Sequence, residues 1–138
     1  LADRDKETGE AAARVFRELG FGIVATSGTA AHLEAHGIEV ATVLAKVGEE
    51  EGGPTALDLI EAGEIDLVVN SPRGRGPRAD GAYIRRAAAA ANIPVVTTVS
   101  AGLAAAKGMA DWSHHELRVR TLQEYHRGVT ADQLRLEL

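Results

Sequence analysis

Short apolar segments alternate with amphipathic helical segments along this sequence, and this alternation limits the fold more than any other feature. Apolar residues fall on one helical face over 10–19, Gly20 is a typical helix-ending residue, and a short apolar strand follows over 21–25. The same unit recurs, with further helices predicted at 30–35, 54–62, 80–91 and 101–109 and further strands at 39–44, 65–69 and 94–97. Short connections imply right-handed crossovers and a mostly parallel sheet with helices on both faces. The sequence therefore predicts a three-layer α/β/α fold.

Length and composition are those of one ordinary globular domain. The chain has 138 residues, of which 45% are hydrophobic and 25% charged, and its apolar runs are shorter than the roughly 18 residues that a membrane span needs. Fifteen basic and twenty acidic residues give a net charge of -5, which disfavours a nucleic-acid partner. The absence of cysteine excludes disulfides, thiolate metal sites and cysteine nucleophiles, and the first residues lack a signal-peptide pattern. We therefore expect a cytoplasmic domain without a membrane or nucleic-acid partner.

Polar residues follow the predicted strands. In an open parallel sheet, ligands bind beyond the carboxyl ends of the strands. The residues at these positions are Thr26, Ser27, Gly28, Thr29, Lys46, Asn70, Ser71, Thr98 and Ser100. The segment 26–29 opens a helix, where hydroxyls and backbone N–H groups can bind an anion, although Ser and Thr are also ordinary N-caps there. Lys46 either reaches the same anion or is solvated at the rim of the sheet. Taken together, the residues predict a phosphate or carboxylate ligand.

Other polar segments fit metal binding or catalysis less well. The segment 114–116, His-His-Glu, lacks the i, i+4 histidine spacing of a helical zinc site, so we expect exposed tail residues and no metal site. The segment 48–53 lacks the ending of an ATPase phosphate loop. The arginines of 73–78 lie among Gly and Pro, which suits a surface loop or a lid over the anion. Lys6 borders the first helix and can turn toward the pocket.

Five segments, in this order and spacing, resemble the methylglyoxal-synthase-like domain, in particular the regulatory domain at the C-terminus of carbamoyl phosphate synthetase large subunits. They are Ala25-Thr26-Ser27-Gly28-Thr29-Ala30, Lys46-Val47, Asp66-Leu67-Val68-Val69-Asn70-Ser71-Pro72, Tyr83-Ile84-Arg85-Arg86-Ala87 and Pro94-Val95-Val96-Thr97-Thr98. The resemblance covers residues 1–127 and leaves 128–138 as a C-terminal tail. It also places the first strand of the domain upstream of Asp3, so that this strand is truncated here.

The resemblance implies a Rossmann-type, five-stranded, mostly parallel sheet and an allosteric site for a nucleotide monophosphate such as UMP or IMP, with ornithine as an effector in some members. The phosphate-binding residues that it implies are Lys6, Thr26, Thr29, Lys46, Asn70 and Ser71, and Ser27 and Gly28 complete the predicted set. Thr98 is expected near the contact with the synthetase body. Where some members have two Thr after the Asn, this chain has Ser71-Pro72, and Pro72 offers neither a hydroxyl nor an N–H.

Three functional classes follow from the resemblance. The first is a non-catalytic regulatory domain without a cofactor of its own. Its parent ligase would use ATP, Mg²⁺ and a small glutaminase subunit in pyrimidine and arginine biosynthesis. The second is a stand-alone methylglyoxal synthase, which is disfavoured because Gly53 stands where that enzyme has its catalytic Asp. The third is a nucleotide-binding module without a synthetase.

Overall fold

The computed structural model describes residues 1–46, 52–71, 79–114 and 123. Helices and strands alternate through them after a 3-10 turn at Asp3–Asp5. The elements are α1 (Lys6–Glu18), β1 (Val24–Thr26), α2 (Ser27–Ala35), β2 (Thr42–Leu44), α3 (Ala56–Glu61), β3 (Val68–Val69), α4 (Ala79–Ala90), β4 (Val95–Val96) and α5 (Val99–His114). The predicted α/β class and order are confirmed. The described helices include none with the length and apolar character to cross a membrane.

The described strands form two separate parallel pairs. β1 pairs with β2, with Val24 opposite Thr42, and β3 pairs with β4, with Val68 opposite Val95. The predicted five-stranded sheet is therefore not confirmed, because β1 and β3 do not pair with each other. The strands are also shorter than the sequence pattern predicts. The proposed tail, 128–138, lies outside the described residues.

Helix α1 packs against helix α5 through the main apolar cluster. Ala12 and Phe16 of α1 are buried with Ala106 of α5. The ring of Phe21 meets that of Phe16 edge to face, with 5.6 Å between the centroids. Gly20, with a φ of +92°, takes the left-handed conformation that ends the helix and returns the chain toward β1. The small residues of α1 and α5 thus let the two helices lie close together.

A second apolar cluster joins α1 to α2. It contains Ala13, Leu33 and Ile38, all buried. Helix α5 also approaches β3 at Gly102, where an added Cβ would lie 3.3 Å from both methyl groups of Val69. These contacts place helix α2 and the amino-terminal half of α5 beside the carboxyl ends of the strands.

Helix α3 begins with a capping box. The Thr55 backbone N–H and hydroxyl donate to Asp58 Oδ2 at 2.7 and 2.9 Å, and the Asp58 N–H donates to Thr55 Oγ1 at 3.3 Å. The bond from the Thr55 backbone, followed by that from its hydroxyl, holds the pKa of Asp58 below its ordinary value. The predicted start at Pro54 is therefore wrong by two residues, because Thr55 is the better cap.

Candidate functional site

A cavity of about 750 Å³ lies between the two strand pairs. Its walls include β1 and β3 and apolar side chains from several helices, among them Phe16, Leu33, Ile60 and Val99. Four of the predicted site residues line it, and they follow or end the two strands that face each other across it. These are Thr26, Thr29, Asn70 and Ser71. The structure thus brings the polar groups after β1 and those after β3 to one space, as parallel strands should.

The first two residues of the chain connect these polar groups. The Leu1 amino group donates to Thr29 Oγ1 at 3.0 Å, and the Ala2 backbone N–H donates to Ser71 Oγ at 3.1 Å. Thr29 is only 6% exposed. Residues 1 and 2 therefore lie between the carboxyl end of β1 and that of β3, and the Leu1 side chain lines the cavity.

The amino end of helix α2 opens at the same edge. Thr26 occupies the N-cap position in an extended conformation, but its hydroxyl makes no capping hydrogen bond. Ser27 and Gly28 form the exposed first turn of the helix. The backbone N–H groups of this turn carry the positive end of the helix dipole, which favours an anion. The ordinary N-cap role considered for Thr26 is therefore not the one that its side chain adopts.

The two predicted lysines do not line the cavity. Lys6 Nζ pairs with Asp3 Oδ1 at 2.9 Å, and its side chain is 24% exposed. Lys46 is exposed just beyond β2. Both lysines are close in sequence to elements that border the cavity, and both have long side chains. Their part in anion binding stays a prediction.

Thr98 and the remaining candidates lie elsewhere. Thr98 Oγ1 accepts a hydrogen bond from the Ala101 N–H at 3.2 Å, so it caps the start of α5, and it does not line the cavity. Its contact with a synthetase body stays a prediction. His114 is exposed at the end of α5. The loop 72–78 with its three arginines, and residues 115 and 116, lie outside the described residues.

Arg85 belongs to one of the five resembling segments, but the sequence analysis did not include it among the predicted site residues near which the structure places it. An added Cβ on Gly81 would lie 3.1 Å from an Arg85 guanidinium nitrogen and 3.4 Å from Asn70 Oδ1. The Asn70 amide and the Arg85 guanidinium therefore both lie against the first turns of α4. The i, i+4 spacing of Gly81 and Arg85 indicates that the two residues lie on the same face of α4.

Gly53 stands where methylglyoxal synthase has its catalytic Asp, and the next carboxylate of the chain among the described residues, Asp58, does not reach the cavity. Asp58 is bound to Thr55, the N-cap residue of α3, and does not belong to the cavity lining. Two other acidic residues, Glu64 and Asp66, do line it, but they precede β3 and so lie toward the end opposite the hydroxyls. The polar end of the cavity that contains Thr29 and Ser71 is therefore suited to bind an anion rather than to remove a proton.

A family model and several curated relatives match this chain over most of its length. A family model described as MGS-like domain matches residues 10–97. The chain is 43% identical over 129 residues to the "Carbamoyl phosphate synthase large chain, C-terminal section" of Methanopyrus kandleri, covering 93% of this chain and 23% of that protein. A protein of the same name from Aquifex aeolicus is 40% identical over 134 residues, covering 97% of this chain and 23% of that protein. The "Carbamoyl phosphate synthase large chain" of Streptomyces avermitilis is 44% identical over 134 residues, covering 95% and 12%. The chain therefore spans less than a quarter of the length of these relatives.

Proposed function

This chain belongs to the MGS-like domain family, and on that premise we propose that it is the effector-binding regulatory domain of a carbamoyl phosphate synthase large chain. The relatives that cover nearly all of it carry that name, and two of them are C-terminal sections. The observation that carries the proposal is the convergence of Thr29 and Ser71, with Thr26 and Asn70, on one cavity beside the amino end of α2.

The ligand that we propose is a nucleotide monophosphate such as UMP or IMP. Hydroxyls and the Asn70 amide supply hydrogen-bond donors, and the first turn of α2 supplies backbone N–H groups to a phosphate. Lys46 and Lys6 are the proposed cations, which would swing toward the phosphate in the bound state. The nucleotide would bind at the polar end of the cavity, beside Thr29 and Ser71, whereas the apolar part with Leu33 and Ile60 is left for the additional strand inferred below.

We also infer that one further parallel strand completes the sheet. β1 and β3 both border the cavity, and each has its partner strand on the other side. Residues 1 and 2 enter between the carboxyl ends of these two strands. A strand leading into residue 1 would therefore run parallel to both, giving the five-stranded order β2, β1, the added strand, β3, β4.

In the whole protein, this domain would act on catalysis performed elsewhere. The parent large chain would use ATP and Mg²⁺ and would work with a small glutaminase subunit. Thr98, at the start of α5, is the proposed contact through which effector binding reaches the synthetase body. Gly53 supports the non-catalytic role, because no carboxylate stands at the position that methylglyoxal synthase needs.

Effector titrations of the 138-residue chain test the proposal. At 100 times its dissociation constant, a bound nucleotide should raise the free energy of unfolding by about 2.7 kcal/mol, seen as a higher melting temperature. Lys46→Ala should weaken binding by about 1.5–3 kcal/mol because a charge-assisted hydrogen bond is lost. Lys107→Ala, which removes an exposed lysine of α5, is the matched control and should bind as the unmodified chain does. The proposal is wrong if UMP, IMP, inorganic phosphate and ornithine all leave the melting curve unchanged.

Gly81→Ala should separate stability from binding. Alanine raises helix stability by up to about 1 kcal/mol, but its Cβ would press on the Asn70 amide and the Arg85 guanidinium. We expect nucleotide binding to weaken by about threefold to tenfold, a change of roughly 0.6–1.4 kcal/mol, when measured by calorimetry. Gly108→Ala in α5 is the control, because its added Cβ would meet nothing within 4 Å. Equal binding by both variants would remove Asn70 and Arg85 from the site.

A further inference from the structure

Two histidines and a glutamate meet on the surface formed by α1 and α2. His32 lies on α2, His36 follows it by one helical turn as the C-cap residue of that helix, and Glu10 faces both from α1. Glu10 Oε2 lies 3.5 Å from His32 Nε2 and 3.8 Å from His36 Nε2. One oxygen of the Glu10 carboxylate and one nitrogen of each imidazole ring all lie within 4.8 Å of one another. The i, i+4 spacing that 114–116 lacks is present here, at residues that the sequence motifs did not point to.

Hydrogen bonds orient the free ligand atoms toward one point. His36 Nδ1 lies 2.7 Å from the His32 carbonyl oxygen, so it carries the hydrogen and leaves the Nε2 lone pair facing Glu10. His32 Nε2 is buried and makes no hydrogen bond. Both Nε2 atoms are therefore available as ligands in the neutral imidazoles.

Arg14 holds the carboxylate in place from the other side. Its guanidinium donates to Glu10 Oε1 at 2.8 and 3.3 Å and to the His36 carbonyl oxygen at 2.7 Å. The hydrogen bond from Arg14 keeps the pKa of Glu10 below its ordinary value. Oε1 is thus occupied, and Oε2 remains directed toward the two imidazoles.

The spacing suits a metal ion better than direct hydrogen bonds. Neither Nε2 to Oε2 distance is short enough for a good charge-assisted bond, which is about 2.7–2.9 Å. Ligands about 2.0–2.1 Å from a tetrahedral Zn²⁺ lie about 3.4 Å from each other, which is close to the distances between Oε2 and the two rings. Two imidazoles and one carboxylate are donors that zinc accepts, whereas Mg²⁺ and Ca²⁺ prefer oxygen alone.

We propose that Glu10, His32 and His36 form a binding site for a divalent transition metal, of which Zn²⁺ fits the donor set. The exposed side of His36 leaves a fourth position open to water. The ion joins α1 to the carboxyl half of α2, at the end of the helix opposite Ser27. This site does not depend on the proposed nucleotide function, and either one can fail without the other.

Calorimetric titration of the metal-free chain with ZnCl₂ tests the site, with Co²⁺ absorption as a second readout. We expect one Zn²⁺ per chain, visible absorption bands of tetrahedral Co²⁺, and no comparable binding of MgCl₂. His36→Gln and Glu10→Gln should each weaken Zn²⁺ binding at least tenfold and abolish the Co²⁺ bands. His114→Gln and Glu34→Gln, at exposed helical positions outside the cluster, should leave both unchanged.

The contrary results are equally definite. Absence of Zn²⁺ binding by the unmodified chain overturns the proposal, and so does unchanged binding by His36→Gln and Glu10→Gln. Circular dichroism before titration confirms that each variant is folded, and the exposed position of His36 makes it the variant least disturbing to the core. If Glu10→Gln unfolds, the comparison of His36→Gln with His114→Gln still decides the outcome.

Discussion

Phe16→Ala is expected to lower the free energy of unfolding by about 3–5 kcal/mol. Phe16 is 6% exposed, lies in the cluster that joins α1 to α5, and has its ring against that of Phe21. Truncation removes apolar contacts and enlarges a space that the fold does not fill. Urea unfolding monitored by circular dichroism measures the change, with the slope against urea compared between variants.

Tyr83→Ala is the matched control for this loss. Tyr83 is 49% exposed on α4, and the Arg86 guanidinium lies 5.5 Å from its ring centroid. Its removal should cost no more than about 1 kcal/mol. A loss for Phe16→Ala no greater than that for Tyr83→Ala would mean that the α1 and α5 contact does not form the core.

Adding a strand in front of residue 1 is expected to raise the free energy of unfolding by about 2–5 kcal/mol. Each apolar side chain buried in the cavity contributes about 1.5–3 kcal/mol, and ordering each residue costs about 1.5 kcal/mol. Hydrogen bonds to both β1 and β3 add to the gain. The experiment compares urea unfolding of the chain with and without a five-residue extension of Val and Ile.

An extension of five alternating Ser and Gly residues is the control for this experiment. It has the same length but cannot supply apolar side chains to walls that include Leu33, Ile60 and Val99. It should leave stability within about 0.5 kcal/mol of the original. Equal stability of the two extended chains would contradict the proposed five-stranded sheet.

Local sequence patterns predicted the helices better than the sheet. The apolar face of α1 and the stop at Gly20 are local signals, and both are confirmed. The pairing of β1 with β2 and of β3 with β4 follows from contacts between distant residues, which periodicity alone does not specify. Each strand is short because only a few residues of each apolar run find a partner among the described residues.

The candidate site also has features that the sequence predicted and features that it did not. The sequence analysis expected the residues after parallel strands to lie together at the carboxyl ends. Thr29 and Ser71 do line one cavity, because the topology fixes where the strand ends lie. The sequence interpretation turned Lys6 toward the anion, although its i, i+3 spacing to Asp3 is a local signal for the ion pair that the structure shows. The facing of Glu10 and His36 was missed because it requires knowing how α1 packs on α2.

The hydrogen bonds of the first two residues bear on the order in which the chain folds. Leu1 binds a residue 28 positions away and Ala2 one 69 positions away. The entropy cost of closing a loop rises with its length, by about 0.6 kcal/mol for each doubling. During synthesis, the hydrogen bond between Ala2 and Ser71 can therefore form only after Ser71 has left the ribosome, whereas α1 and α2 can pack together before that. The start of the chain docks late, and contacts of such long range are the kind that slow folding.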